Sequence, residues 1–183
     1  MHAEQKASWT LFLDRDGVIN TKRESDYVKT LDEWEWRDDF LNTIKPLSEQ
    51  FECIVVVTNQ RGIGRGIMTE KELHTLHKKM LEDVLKRGGR IDGIFYCPHD
   101  ISENCPCRKP KTGLALQAKK QFPDIDFSRS VLIGDSESDI ELGNTLGMKT
   151  YLLTEATSPH TKALYTIKNI SDILPIPGRV GGG

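Results

Sequence analysis

Two groups of residues in this 183-residue chain have the types and spacing to do chemistry. The first is Asp14-Arg15-Asp16-Gly17, two carboxylates one residue apart with a glycine behind them that permits a sharp turn. Acids this close repel, so either one keeps its proton or a cation sits between them. An EF-hand calcium loop also begins with alternating acids, but its glycine is sixth and its twelfth residue is Glu. Here Gly17 is fourth and Ser25 is twelfth, which excludes that reading. The second group is Cys97-x-His99 followed by Cys105-x-Cys107. Three thiolates and an imidazole form a complete tetrahedral set with no position left for substrate, which describes structural zinc. The plain alternative, buried cysteines beside a surface histidine, gives no reason for all four to fall within eleven residues.

The elements that must carry these groups read as alternating strands and helices. Leu11 to Leu13 is a short apolar run ending at Asp14. Ile54 to Val57 ends at Thr58, and Val131 to Gly134 ends at Asp135. β-Branched runs apolar on both faces suit a covered parallel sheet, with further strands expected at residues 93–96 and 150–153. Helices are expected from Asp38 or Asp39 (Phe40, Leu41, Ile44 and Leu47 inward, with Pro46 kinking or shortening it), from a Thr69/Glu72 capping box (Leu73, Leu76, Met80, Leu81, Val84 and Leu85 inward, ending at Gly88-Gly89), from Thr112, and from Ser136 to about Leu146. Residues 21–37 read as a loop or short hairpin near the Asp14 end. The whole predicts a doubly wound, mainly parallel α/β domain over residues 9–174, with an N-terminal extension over 1–8 and a disordered tail over 175–183.

In such a sheet, Asp14, Thr58 and Asp135 all arrive at the carboxyl edge, where open α/β folds bind ligands. Asp14, Asp16 and Asp135 then supply hard oxygen ligands suited to magnesium, and Lys109 balances the remaining anionic charge. Several classes are disfavoured. The formal net charge is −2 with charges interspersed, so nothing pulls the chain toward nucleic acid. There is no signal-peptide core and no apolar run of the ~18 residues a bilayer requires, so a soluble cytoplasmic protein with no membrane partner is expected; a monomer with no nucleic-acid partner is the accompanying expectation. The glycine loop over residues 61–66 does not fit G-x-G-x-x-G, because Ile67 stands where the third glycine belongs.

Four motifs in order, Asp14-Arg15-Asp16-Gly17, Thr58-Asn59, Lys109-Pro110 and Gly134-Asp135-Ser136-Glu137-Ser138-Asp139, resemble those of the haloacid dehalogenase superfamily of aspartyl-phosphate hydrolases, over essentially the whole ordered length. The resemblance implies the Rossmann-like fold of that superfamily, with Asp14 as nucleophile on phosphorus and Asp16 protonating the leaving oxygen and then deprotonating water. Thr58 and Lys109 would bind the oxygens of the transferring group. Magnesium would sit on the side chains of Asp14 and Asp135 and the backbone carbonyl of Asp16, with Asp139 behind them. No large cap domain has room in the chain. The zinc-stapled loop would fix Arg108 and Lys109.

That loop is similar to a zinc-bearing branch containing D-glycero-D-manno-heptose 1,7-bisphosphate phosphatases and histidinol-phosphate phosphatases. Asp26-Tyr27-Val28, Trp34-Glu35-Trp36, the stretch Thr58-Asn59-Gln60-x-Gly62-Ile63-x-Arg65-Gly66 and Ile94 to His99 look like the heptose enzymes. The five residues between His99 and Cys105 look like the histidinol enzymes. A bisphosphate needs a second cationic subsite, for which Arg61, Arg65 and Arg108 are candidates beside Asn59 and Gln60. The small phosphorylated metabolite expected here is therefore the heptose bisphosphate. Histidinol phosphate is the alternative, and a polynucleotide 3′-phosphatase or a non-catalytic phosphate binder is more remote.

Overall fold

The computed structural model describes residues 8–23, 26–156 and 160–176. Six strands, β1 (Thr10–Leu13), β2 (Cys53–Asn59), β3 (Gly93–Cys97), β4 (Ser130–Gly134), β5 (Lys149–Leu153) and β6 (Tyr165–Ile167), form one sheet in the order β3-β2-β1-β4-β5-β6. Every pairing is parallel. The order reverses between β1 and β4, and in sheets of this topology the crevice at the carboxyl ends beside that reversal is the ligand site. Register fixes who meets there. Leu13 lies opposite Val56 on one side and Ile133 on the other, so Asp14, Thr58 and Asp135 emerge together.

Among the described residues there are five α-helices, α1 (Asp38–Gln50), α2 (Arg61–Gly64), α3 (Glu70–Lys86), α4 (Gly113–Gln121) and α5 (Glu137–Thr145), of which all but the short α2 cover the two faces. Phe40, Ile44 and Leu47 of α1 and Met80 and Val84 of α3 pack with Leu11, Leu13, Val56 and Ile133 on one face. Leu114, Ala115 and Ala118 of α4 and Leu142 of α5 pack with Phe12, Val55, Val57 and Leu132 on the other. This is the doubly wound arrangement expected. The intervals after β1, β2 and β3 hold only loops, helical turns and α1 to α4 among the described residues, so no cap domain stands over the crevice there.

Several expectations need correction. Pro46 neither shortens nor divides α1. A proline inside a helix costs about 3 kcal/mol, and the fully buried Phe40, Ile44 and Leu47 each return about 1.5–3 kcal/mol, so burial wins. Arg37, not an aspartate, stands at the cap of α1; Asp39 instead receives the guanidinium of Arg37 at 3.0 Å and the Ile170 amide at 3.2 Å. In α3 the Thr69/Glu72 capping box is present, but Leu81 and Leu85 are exposed. The inward stripe runs through Leu73, Leu76, His77, Met80 and Val84, leaving those two leucines on its flank. The polar stretch before α1 is pinned as a hairpin by a bridge between Asn20 and Trp36 and by the Thr21 amide on the Glu35 carbonyl at 2.7 Å. The expected tail begins too early, because Ile176 is buried and its amide donates to Gln50 Oε1 at 3.2 Å. Residues 177–183 and 1–7 lie outside the described residues.

Candidate active site

Asp14 leaves β1 nearly buried, at 8% exposure, and its Oδ1 lies 2.8 Å from Lys109 Nζ. The same ammonium reaches Asp139 at 2.6 Å and donates to the Val57 carbonyl at 2.8 Å. One buried cation is thus shared by two carboxylates and a strand end. Burial opposes the charge on Lys109, but Asp139 and Asp14 outweigh it and hold the ammonium protonated. Asp14 responds in the opposite sense. Burial pushes its carboxyl up to about 7, Lys109 pulls it down, and Asp139, Asp135 and Asp16 add to the rise.

Asp135 follows β4 and carries two different oxygens. Oδ2 accepts from Lys22 Nζ at 2.6 Å, while Oδ1 is buried with no hydrogen-bond partner. Carboxylate oxygens of Asp14, Asp135 and Asp139 lie within 4.8 Å of one another. This close set of hard donors, with one buried oxygen bare, fits a magnesium ion held by Asp14 and Asp135. Both oxygens of Asp139 are engaged, by Lys109 at 2.6 Å and by Ser136 Oγ at 2.7 Å, which suits the supporting place expected for it. Gly17 makes the approach possible. Its φ is +91°, and a Cβ there would lie 2.3 Å from Asp135 Oδ2.

The Asp16 side chain stands outside that cluster. It accepts from Arg15 Nε at 3.2 Å and Nη2 at 2.8 and 3.0 Å, from Asn20 Nδ2 at 3.0 Å and from Gln60 Nε2 at 2.9 Å. Burial pushes its carboxyl up, yet the Arg15 charge and these donors together hold it below the usual carboxylate range.

The residues expected to meet substrate separate into two sets. Arg108 lines the cleft of about 230 Å³ formed by Asp14, Asp16, Thr58, Lys109 and Asp135, and its Nη1 is buried without a partner. Asn59 also lines it, and its side chain accepts from the Lys109 amide at 3.0 Å and donates to the Lys109 carbonyl at 3.2 Å, so it aims Lys109. Gln60 does not face the cleft. It is buried and bridges Asp16 to Thr58 Oγ1 at 2.9 Å. Arg61 is turned away onto Asp100 at 2.9 Å, and exposed Arg65 reaches the Tyr27 hydroxyl at 3.5 Å. In their place the hairpin contributes Lys22 and Arg23 to the lining, with Tyr27. Sequence reasoning missed these two cations because they sit in a polar stretch with no periodicity to aim them. The only signal was two adjacent basic residues on the segment leaving the Asp14 motif.

Beyond β3 the second group closes on itself. Cys97 Sγ lies 3.6 Å from His99 Nδ1 and 3.4 Å from Cys105 Sγ; Cys107 Sγ lies 3.2 Å from His99 Nδ1 and 3.4 Å from Cys105 Sγ. A tetrahedron with metal–sulfur bonds of zinc length has edges of roughly 3.8 Å, so the four atoms already stand near its corners. Cys107 is followed directly by Arg108 and Lys109, and the Gln60 amide donates to the Cys97 carbonyl at 2.8 Å. The loop therefore sets the position of both cations.

A family model described as polynucleotide kinase 3 phosphatase matches residues 11–162. The chain is 41% identical over 138 residues to a Mycobacterium tuberculosis D-glycero-alpha-D-manno-heptose-1,7-bisphosphate 7-phosphatase, covering 75% of this chain and 73% of that protein. It is 39% identical over 143 residues to a Neisseria meningitidis D-glycero-beta-D-manno-heptose-1,7-bisphosphate 7-phosphatase, covering 78% and 75%. Its structure superposes, with a TM-score of 0.82 and 29% identity, on the crystal structure of a D,D-heptose 1,7-bisphosphate phosphatase from B. bronchiseptica complexed with magnesium and phosphate, covering 90% of this chain and 95% of that one.

Proposed function

The chain belongs to the haloacid dehalogenase superfamily, in its family of heptose-1,7-bisphosphate 7-phosphatases, and from that premise we propose that it removes the 7-phosphate of D-glycero-D-manno-heptose 1,7-bisphosphate through a phosphoryl group carried on Asp14. It is a phosphatase acting on a small phosphorylated sugar. The observation that carries the reading of the site is Lys109, a buried ammonium between Asp14 and Asp139 beside the bare oxygen of Asp135.

Magnesium held by Asp14, Asp135 and the Asp16 carbonyl would offset the repulsion between carboxylate and phosphate. The chain's own groups do the rest. Asp14 attacks phosphorus in line, with Lys109 and the Thr58 hydroxyl on the equatorial oxygens, whose charge is what the transition state must stabilise. Asp16 gives a proton to the departing sugar oxygen and later takes one from water, a role worth ~10²–10⁴ in rate. Because Arg15, Asn20 and Gln60 favour its ionised form, one carboxyl oxygen must give up the Asn20 or Gln60 donor to carry that proton. The second phosphate meets Lys22, Arg23 and Arg108, the cations that line the cleft; this replaces the set of Arg61, Arg65 and Arg108. Zinc on Cys97, His99, Cys105 and Cys107 keeps Arg108 and Lys109 in place. We place the protein in the cytoplasm as a monomer with no nucleic-acid partner; no described helix is long and apolar enough to cross a membrane.

The test is a side-by-side comparison of kcat/KM with magnesium for the heptose 1,7-bisphosphate, histidinol phosphate and a 3′-phosphorylated oligonucleotide. The heptose bisphosphate is expected to lead by at least about 10-fold. Histidinol phosphate leading instead would favour the reading suggested by the short interval between His99 and Cys105.

A further inference from the structure

Arg15 is the largest fully buried side chain among the described residues, and its charge takes no part in the chemistry assigned above. A guanidinium out of water costs several kcal/mol unless its donors are met. They are met closely. Nε and Nη2 fork onto Asp16, Nη1 lies 3.4 Å from His77 Nε2, and the guanidinium carbon sits 5.7 Å from the Trp34 ring centroid. His77 is itself buried on α3, with its ring edge-on to Tyr96 at 6.0 Å. Since an arginine has only donors to offer, His77 Nε2 accepts, and the imidazole is neutral. Asp16 is then gripped from three segments: by Arg15 and Asn20 within its own turn, by Gln60 at the end of β2, and through Arg15 by His77 of α3. The Gln60 amide that reaches Asp16 also reaches Thr58 Oγ1, so the grip spans the proton-transfer group and a ligand of the transferring phosphate.

A salt bridge kept only for stability would be replaceable at little cost by apolar side chains of similar volume. What an apolar pair could not do is hold a carboxylate in one orientation. We propose that Arg15, braced from behind by His77, is a positioning residue that aims Asp16 at the leaving oxygen. The proposal rests on the reading of Asp16 as the proton-transfer group. Displacing a reacting group by about 1 Å costs up to about 100-fold, so the brace is worth a measurable part of the rate without touching substrate.

Leaving groups separate aim from structure. Nitrophenolate departs without a proton, whereas a sugar alkoxide needs one. In single-turnover measurements of phosphoenzyme formation, Arg15→Lys and His77→Ala are expected to slow transfer from the heptose bisphosphate about 10- to 100-fold, with KM within about twofold. Transfer from p-nitrophenyl phosphate should slow less than about threefold. His77→Gln, whose side-chain carbonyl can accept from Arg15, should recover most of the loss. Should Arg15→Lys fail to fold, the His77 pair carries the test alone. Equal slowing on both leaving groups, or no slowing on either in variants that keep the parental Tm and magnesium affinity, overturns the proposal. A parental enzyme that forms no phosphoenzyme from either compound overturns the underlying reading and the proposal with it.

Discussion

Among the described residues, two clusters of ligand-type side chains stand out, and they are built in opposite ways. Asp14, Asp135 and Asp139 come from distant parts of the chain and meet because β1 and β4 are paired in register inside a covered sheet. Cys97, His99, Cys105 and Cys107 come from eleven consecutive residues that hold the last residue of β3 and one helical turn over Ile101–Glu103. The first cluster is hard, charged and incomplete, with a bare oxygen on Asp135; the second is soft and complete. Strand register gathers the first, and short chain spacing gathers the second into a set that could hold a metal ion. One cluster therefore has room for chemistry, and the other, four donors with no open position, leads directly into Arg108 and Lys109.

The largest expected effect that could break this contrast comes from the carboxylate side. Asp16→Asn should lower kcat about 10²- to 10⁴-fold and also lower Tm, because it leaves the buried Arg15 guanidinium without its carboxylate, while the circular dichroism spectrum below that Tm stays that of the α/β sheet. A comparable fall from Arg61→Ala, which points at Asp100, would mean that the cleft has been drawn in the wrong place.

On the thiolate side, Cys105→Ser should lose zinc by elemental analysis, lower activity about 10- to 100-fold and keep the α/β circular dichroism spectrum. Removing zinc should lower Tm, whereas removing magnesium should leave it nearly unchanged. Full activity in a zinc-free protein would sever the link drawn between the loop and the catalytic cations.

The two clusters were unequally legible in the sequence. The cysteines and histidine are local, so spacing alone brought them together. Asp14 and Asp135 were legible because each ends an apolar run, and a parallel sheet sends such ends to one edge; Asp139, inside α5, was reached only through the resemblance. What escaped was whatever depends on side-chain direction. Gln60 follows Thr58-Asn59 and was read as facing substrate, but it turns inward to Asp16. Arg61 was read as a phosphate ligand, and Asp100 captures it. Lys22 and Arg23 lie on a hairpin whose course is set by Asn20 pairing with Trp36, a contact that no period announces. β6, three residues long with two of them exposed, gave no alternation to read.

A smaller effect sharpens the account of the carboxylate cluster. Lys22 pairs with Asp135 Oδ2 at 2.6 Å, on an oxygen next to the proposed magnesium site, with 55% of its side chain exposed. Exposed pairs are worth about 0.2–1 kcal/mol, so Lys22→Met should tighten magnesium binding by up to about fivefold in calorimetry. Weaker binding would show that Lys22 assists the metal instead of competing with it.

The smallest expected effect is on proton balance. The Asp14 carboxyl is pushed up to about 7 by burial, against an unfolded value near 3.9. Between those values the folded metal-free protein holds more protons than the unfolded chain, so this group's contribution makes it more stable as pH falls from 7 toward 4. Magnesium selects the ionised form, so binding should release about half a proton near pH 7 and almost none at pH 9. Calorimetry in buffers of different ionisation enthalpy reads this directly, and equal release at both pH values would contradict it.

The central claim is that phosphorus becomes bonded to Asp14. Acid-quenched single turnovers with magnesium and heptose bisphosphate, followed by peptide mass analysis, should show one phosphoryl group on the peptide containing Asp14, absent in a folded Asp14→Asn protein that has lost turnover. Phosphate found on another residue, or an Asp14→Asn protein turning over at the parental rate, would contradict it.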